Sequence, residues 1–530
     1  MGKKKKPPIL ATGDFETDPF KVDRVPRPFI GEFHSAELTE VFEGDDCATQ
    51  FVDFLLSIDD PHLIYMHNGG KFDFFFMIDH LEGPMRVING RIVEAKIGPH
   101  TIRDSFAIMP VPLKSYKKDD IDYSKLEREV RHLHMPEIRD YLHSDCVYLY
   151  EMCEAFLNRF GPKLTIGGTA MGIIKEMHPF IPSGSDHDKA FRPFYYGGRV
   201  ECFRSGIIGG GVKLYDVNSM YMGAMKYSRH PINGAFSVSN KMPNSFDYPF
   251  FCHFTGWNDG ALPAKNPDGS LTFNKEYGEF FACSHELEAA IEFGLIKIEE
   301  IHRVYISQDY ASFGDYVDMC NDGKAECKRT GDATGYLINK LLGNSGYGRF
   351  AINPENFEEW IINKDFGNDR QLIADGYELR SEIDGVELWS KPAEIQESQY
   401  CDVAVGASIT SAARATLLRG LKGAIDPIYC DTDSIICRAF DGDIDPYRLG
   451  AWDLEKTAQY AAIGGKKLYA LYDDPNGEPV KISSKGGSLS LSEIIAICEG
   501  QRVRYENPAP TFSLKRSETR FVKRNFEKTA

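Results

Sequence analysis

The stretch Pro427-Ile428-Tyr429-Cys430-Asp431-Thr432-Asp433-Ser434-Ile435-Ile436 decides how this chain is read. Two carboxylates one residue apart interrupt an apolar run, a pattern that predicts a β-hairpin with the acids at its tip. Such a cluster is unfavourable unless cations neutralise it, because like charges repel and desolvate badly. A third acid, Asp216, lies in the strand-like run Leu214-Tyr215-Asp216-Val217, ahead of Asn218-Ser219-Met220-Tyr221. Two divalent ions about 4 Å apart would resolve the repulsion and clamp the attacking and leaving oxygens of a phosphoryl transfer. Asp216 and Asp433 are the expected ligands, with the Val217 carbonyl completing a site. Asp431 is either a further ligand or an electrostatic neighbour.

Between these acids a helix is expected from Gly335 to Phe350. On it Tyr336, Lys340, Asn344 and Tyr347 follow at spacings of four, four and three, hence on one face. A lysine there suits a triphosphate, and a tyrosine can stack on a base or sugar. Half-exposed surface is the plainer reading of such a face; its place between two acid motifs favours the nucleotide. Lys328, three turns earlier, is a second phosphate candidate.

A second acid set lies near the N-terminus. Ile9 to Glu16 reads as a buried strand ending in Asp14 and Glu16, Met66 to Gly70 as a loop, and Phe72 to Ile78 as a helix carrying Asp73. Pro136 opens a helix running to about Phe160, on which Tyr141 and Asp145 share a face. Acids from a strand end and two helices can hold two metals and activate water, with Tyr141 orienting that water toward a phosphodiester. A lone Asp-x-Glu is a weak signal. Followed in order by Asn68-x-x-x-Phe72-Asp73 and Tyr141-x-x-x-Asp145, it is a specific one.

Composition sets the frame. At 530 residues the chain should hold roughly three or four domains. Apolar content of 42% with 12% aromatics supports packed cores rather than disorder. A net charge of −17 is unexpected for a nucleic-acid protein, although a basic groove can coexist with acidic outer faces. Arg502 to Lys528 carries eight Lys/Arg against three Glu, either a local basic surface or a solvated tail. Twelve cysteines without a CxxC pair argue against structural zinc and a disulfide framework, and Cys430 reads as a packed thiol. No apolar run reaches the ~18 residues of a membrane span, and Lys3 to Lys6 leads into Pro7-Pro8 rather than a signal core, so a reduced cytoplasm is expected. Gly209-Gly210-Gly211 precedes a strand, not a helix, and is read as a turn.

With these motifs in order, the chain resembles a family B DNA polymerase with a DEDDy-type 3′–5′ exonuclease domain. It is closer to the protein-primed branch, the φ29-like enzymes of small phages and linear plasmids. The resemblance spans nearly the whole chain. It is supported by Tyr195-x-Gly197-Gly198, Thr410-x-x-x-Arg414, Lys467-Leu468-Tyr469, Asp104-Ser105-Phe106 and Lys118-x-x-Ile121. It implies an α/β and α+β multidomain fold: an RNase H-like exonuclease domain at 1–160, then a right-hand polymerase. The palm would occupy 161–226 and 399–487, the fingers 319–352 and the thumb 488–530. Insertions at 227–318 and 353–398 would match the branch's two terminal-protein regions.

The resemblance also implies roles. Asp216 and Asp433 would bind Mg²⁺, two ions per active site with Mn²⁺ able to substitute; Asp14, Glu16 and Asp145 would do so in the exonuclease. Tyr221 would sit under the deoxyribose and exclude a 2′-hydroxyl. Lys328 and Lys340 would hold the dNTP, with Asn344 and Tyr347 lining its pocket. Lys467 and Tyr469 would contact the primer terminus, Tyr195, Gly197 and Gly198 the DNA, and Thr410 and Arg414 the DNA or priming protein. His67, Asn68, Phe72, Ser105 and Phe106 would hold the frayed 3′ strand, and Lys118 would support its hydrolysis. The expected partners are template and primer DNA, dNTPs and a terminal protein, for a monomer in the cytoplasm of an infected bacterial cell, replicating a linear genome with strand displacement. The family's proline after the motif A tyrosine is Met222 here, and Tyr336 stands where relatives place a lysine. The alternatives are a nucleic-acid-primed family B enzyme, or an exonuclease whose polymerase half is inactive.

Overall fold

The computed structural model describes residues 7–20, 25–116, 119–179, 185–353, 356–364, 367–383, 386–393, 402–514 and 518–528. The apolar run His62–Met66 is buried along its whole length, as a strand covered on both faces must be. It pairs in parallel with Ile9–Thr17 on one side and His100–Asp104 on the other. Alternation then sorts its side chains. Ile64 and Met66 pack with Phe51 and Leu55 of the helix Cys47–Ser57. Leu63 and Tyr65 face Leu149 and Met152 of the helix Met135–Phe160. The same period-two rule puts Gly13 against Phe51, whereas the Thr12 hydroxyl donates to the Cys146 carbonyl on the long helix. Asp14 and Glu16 therefore share the face of the helix that carries Tyr141 and Asp145.

That sheet has ten strands, and three come from far along the chain. Phe357–Asn363 pairs with Glu82–Ile88, and Val386–Pro392 and Glu378–Ile383 follow outward. The expected second insertion is thus an extension of the N-terminal sheet. The expected first insertion is also ordered. Phe236–Ser239, Ile296–Ser307, Phe250–Asp259 and Lys275–Cys283 form a four-stranded sheet, and the helix Ser284–Glu292 packs with it around Phe250, Cys252, Phe254 and Leu287.

A third sheet orders Trp452–Ala458, Val212–Val217, Ser434–Cys437, Tyr429–Asp431 and Val200–Cys202. The helix Val403–Gly423 is buried along most of its length, its small residues allowing close approach: a Cβ on Gly420 would lie 2.2 Å from the Trp452 ring. Gly314–Thr330 and Ala333–Phe350 form a helical hairpin broken at Gly331, whose φ of 75° favours glycine. Lys328 and Lys340 lie on separate helices, because Gly331 ends the first and Asp332 caps the second. The helix expected over 72–78 forms as the 3₁₀ segment Asp73–His80.

At the C-terminus the helix Leu491–Cys498 packs against the sheet holding Tyr460–Gly465, Leu468–Tyr472 and Lys481–Ser484. A hairpin follows, Val503–Ser513 against Glu518–Lys528. Near its tip Leu514 is buried with Ile362, Val386 and Leu388, and its carbonyl accepts the Ser381 hydroxyl at 2.6 Å. Among the described residues no helix is long and apolar enough to cross a membrane.

Candidate active sites

The hairpin expected at residues 427–436 forms. Asp431 pairs with Ser434, leaving Thr432 and Asp433 as a two-residue loop with Thr432 at a φ of 59°. The Asp433 carbonyl accepts the Val217 N–H at 2.7 Å, and Asp216 pairs across to Ser434. These bonds bring the turn tip beside the strand end that carries Asp216. Burial and then the Asp433 carboxylate push the Asp216 carboxyl up to about 7. Burial, followed by the neighbouring Asp431, raises Asp433 too. Two half-buried carboxylates held together this way make a donor set suited to divalent cations.

Asp431 is paired with a lysine. Both its oxygens accept from Lys467 Nζ, at 2.7 and 2.9 Å, and it also accepts the Tyr429 hydroxyl. Lys467 itself is held by its N–H donating to the Tyr429 hydroxyl oxygen, and Tyr469 is buried against the Tyr429 ring. Lys481, paired with Glu455, also acts on Asp216 and Asp433 and lowers both; sequence reasoning missed this pair. The register Asp216–Asp453 on the neighbouring strand, one alternation from Glu455, was the signal available.

Beside the acids, the Tyr221 and Tyr347 rings stack at 4.0 Å with 4° between their planes. The left-handed Ser219, φ 52°, turns the chain from the Asp216 strand into the helix Met220–Tyr227 and so presents Tyr221. Met222 explains the missing proline: it is buried, and a Cβ on Gly343 would lie 2.6 Å from its sulfur, so it fills the close approach of two helices. Lys328, Tyr336 and Lys340 line a cleft of ≈ 530 Å³ together with Val111 and Ser115. Asn344 and Tyr347 line a second of ≈ 590 Å³, whose opposite wall holds Lys71, Arg91 and Phe106.

Thr410 and Arg414, expected to contact DNA or the priming protein, lie inside the protein. Both are buried, and Arg414 makes a two-pronged ion pair with Glu286 at 2.8 and 3.0 Å. It also donates to the carbonyls of Tyr196 and Gly197. Arg414 thereby anchors the Tyr195-x-Gly197-Gly198 segment from inside. That segment braces the acid turn: the Arg199 carbonyl accepts the Thr432 N–H at 2.7 Å, and a Cβ on Gly198 would lie 2.8 Å from Thr432. Tyr195 is half-buried in the same segment.

In the N-terminal unit, carboxylate oxygens of Asp14, Glu16 and Asp145 lie within 4.8 Å of one another. Asp73 is buried next to them, and burial followed by Asp14 raises its carboxyl well above the ordinary range. Its Oδ1 is buried without a hydrogen-bond partner, so the residues present fit cation binding. Tyr141 is raised by burial, then Glu16 and Asp145, and stays a neutral hydroxyl donor.

Around this cluster, the Asn68 side chain accepts from Arg91, which also ion-pairs with the buried Asp104. Gly70 is required because a Cβ there would lie 1.8 Å from the Ile92 carbonyl; its N–H donates to Asp104. Phe72 packs edge-on against Phe20, and Arg91 lies 4.5 Å above the Phe106 ring. Ser105 is fully buried beneath His67, to which it hydrogen-bonds at 2.9 Å. The expected Lys118 lies outside the described residues. Sequence reading named Asp104 only within a motif, without its Arg91 partner.

Residues 57–436 match the family model for DNA polymerase type B, organellar and viral, and the chain belongs to that family. It is 46% identical over 487 residues to the DNA-directed DNA polymerase of Enterobacteria phage PRD1, covering 92% of this chain and 86% of that one. It is 28% identical to the DNA polymerase of Bacillus phage phi29, over 70% of this chain and 67% of that one. The fold matches phi29 DNA polymerase complexed with single-stranded DNA, with a TM-score of 0.75 at 20% identity over 99% of this chain and 100% of that one. The protein is thus a type B DNA polymerase with a phi29-like multidomain fold.

Proposed function

We propose that the chain joins two chemistries: template-directed DNA synthesis at Asp216 and Asp433, and 3′–5′ hydrolysis at Asp14, Glu16, Asp73 and Asp145. The observation that carries this is the pair of acid clusters, each on its own sheet, with one groove lined by Phe106 from one unit and Tyr347 from the other. Two Mg²⁺ ions at each cluster would supply neutralisation of phosphate charge, and Mn²⁺ could replace them. For synthesis, the primer 3′-oxygen attacks the α-phosphorus of a dNTP and pyrophosphate leaves. Lys328 and Lys340 bind the triphosphate from the cleft they line. Tyr221, stacked on Tyr347, floors the sugar and excludes a 2′-hydroxyl. Lys467 reaches the primer terminus from its place beside Asp431. For hydrolysis, Tyr141 orients water while His67, Asn68 and Phe72 hold the frayed strand and Ser105 fixes the His67 ring.

Initiation on a protein hydroxyl accords with the ordered unit at residues 236–307 and with the likeness to phage polymerases. Strand displacement accords with the C-terminal hairpin meeting Ser381 of the 357–392 strands. The setting is the cytoplasm of an infected bacterial cell. A 5′-labelled primer on a longer template, with Mg²⁺, tests the reading: extension with dNTPs and shortening without them are expected. Shortening under both conditions would overturn the synthetic half.

A further inference from the structure

The four-stranded sheet of residues 236–307 has one face buried on the helix Ser284–Glu292 and one facing outward. Phe250, Cys252 and Phe254 point inward. By alternation His253 and Thr255 point outward, and Glu279, paired in register with Thr255, joins them. His302 would not follow from simple alternation. His253 pairs with Arg303 and Phe254 with Ile301, so His302 is the extra residue of a β-bulge. Bulges re-aim side chains, and this one turns His302 toward His253. The two imidazole rings lie 4.7 Å apart, and one donor atom from each of His253, Glu279 and His302 falls within 4.8 Å of the others.

The rings are also pinned. His253 stacks on Phe281 at 4.2 Å with 10° between planes and hydrogen-bonds to Glu279. His302 hydrogen-bonds to the Thr255 hydroxyl at 2.7 Å. Oriented imidazoles with supporting partners are how proteins prepare ligands for a transition metal.

We propose that His253, Glu279 and His302 form a binding site for a divalent transition ion of the zinc class on the outward face of this sheet. Two imidazoles and one carboxylate suit zinc, with water in a fourth position. They suit Mg²⁺ poorly, since it selects oxygen donors. The site is therefore chemically distinct from the two all-carboxylate clusters. Trp257 and Tyr277, both about half exposed, lie on the same face, and the ion would stiffen the strands that present them.

The test is metal titration of the full-length protein in a large excess of Mg²⁺, which holds the carboxylate clusters. Zn²⁺ is followed by calorimetry and Co²⁺ by its visible absorption. One equivalent of Zn²⁺ is expected, with a cobalt spectrum of a nitrogen-and-oxygen site. His302→Ala and Glu279→Gln should each remove that equivalent and the cobalt bands. Glu279→Gln keeps side-chain size and a hydrogen bond to His253 at a mostly exposed position, so it tests the site without disturbing the sheet. No zinc uptake by the wild type above Mg²⁺, or equal uptake by wild type and Glu279→Gln, would overturn the proposal and leave an ordinary histidine–glutamate ion pair.

Discussion

Burial and neighbouring carboxylates raise the acids of both clusters, and at Asp216 and Asp433 lysines act on them as well. At Asp216 and Asp433 the repulsion is partly relieved by the protein's own cations, Lys467 and Lys481, held within range by Asp431 and Glu455. At Asp73 the strongest influences after burial are further carboxylates, Asp14 before Asp104 and Glu16. The proposed substrates would call for such a difference. A dNTP brings a triphosphate that lysines can help neutralise, whereas a single phosphodiester needs mainly an activated water and metal-bound charge. The first site is a half-exposed turn braced from behind. The second is a drier pocket between a strand and a long helix.

Predictions follow from that contrast, largest effect first. Arg414 braces the polymerase turn alone. Glu286→Ala leaves its guanidinium buried and unpaired and should cost about 3–5 kcal/mol. Thermal inactivation should show extension lost at a lower temperature than 3′ shortening; loss of both together would mean the brace serves the whole molecule. On the proposed role of Lys467 at the primer terminus, Lys467→Ala should slow extension by roughly 10²–10³-fold with shortening unchanged.

Two glycines give a matched pair. Gly198→Ala forces a Cβ against Thr432 and Gly70→Ala one against the Ile92 carbonyl. Each should cost about 1–3 kcal/mol, more at Gly70 because backbone cannot yield as a side chain does. The first should depress extension and the second shortening, read on one primer–template. A crossed result would break the separation.

The smallest effect is one of pH. His230, fully buried between the Ser408 hydroxyl and the Ala224 carbonyl, is lowered to about 3 by burial. Its folded value lies below the ordinary 6.5, so the unfolded chain takes the proton first as pH falls. The stability it contributes is intact above pH 6.5 and drains below it, by about 1.4 kcal/mol per pH unit. The stability difference between wild type and His230→Gln, from melts between pH 7.5 and 5, should change with this slope; a difference independent of pH would contradict it.

Much of this was legible in the chain because the chemistry is local. The hairpin at 427–436, the strand ending in Glu16 and the helix Met135–Phe160 each declare themselves by alternation or helical spacing within a dozen residues. What escaped was long-range. Nothing near Arg414 announces Glu286, since the pair meets only when the inserted helix packs on Val403–Gly423. The role expected for Thr410 and Arg414, contact with DNA or the priming protein, gave no hint of that burial. The strands at 357–392 carry no local sign that their partner is Glu82–Ile88. The unit at 236–307 was legible in part: Phe250, Cys252 and Phe254 alternate, but a bulge at His302 breaks the period on the partner strand Ile296–Ser307.

The central claim is that two separate sites perform two reactions. Asp433→Ala and Asp14→Ala, assayed side by side for primer extension and 3′ shortening with Mg²⁺, test it most directly. Asp433→Ala should abolish extension and spare shortening, and Asp14→Ala should do the reverse. If each change abolished both activities, the division into two sites would be wrong.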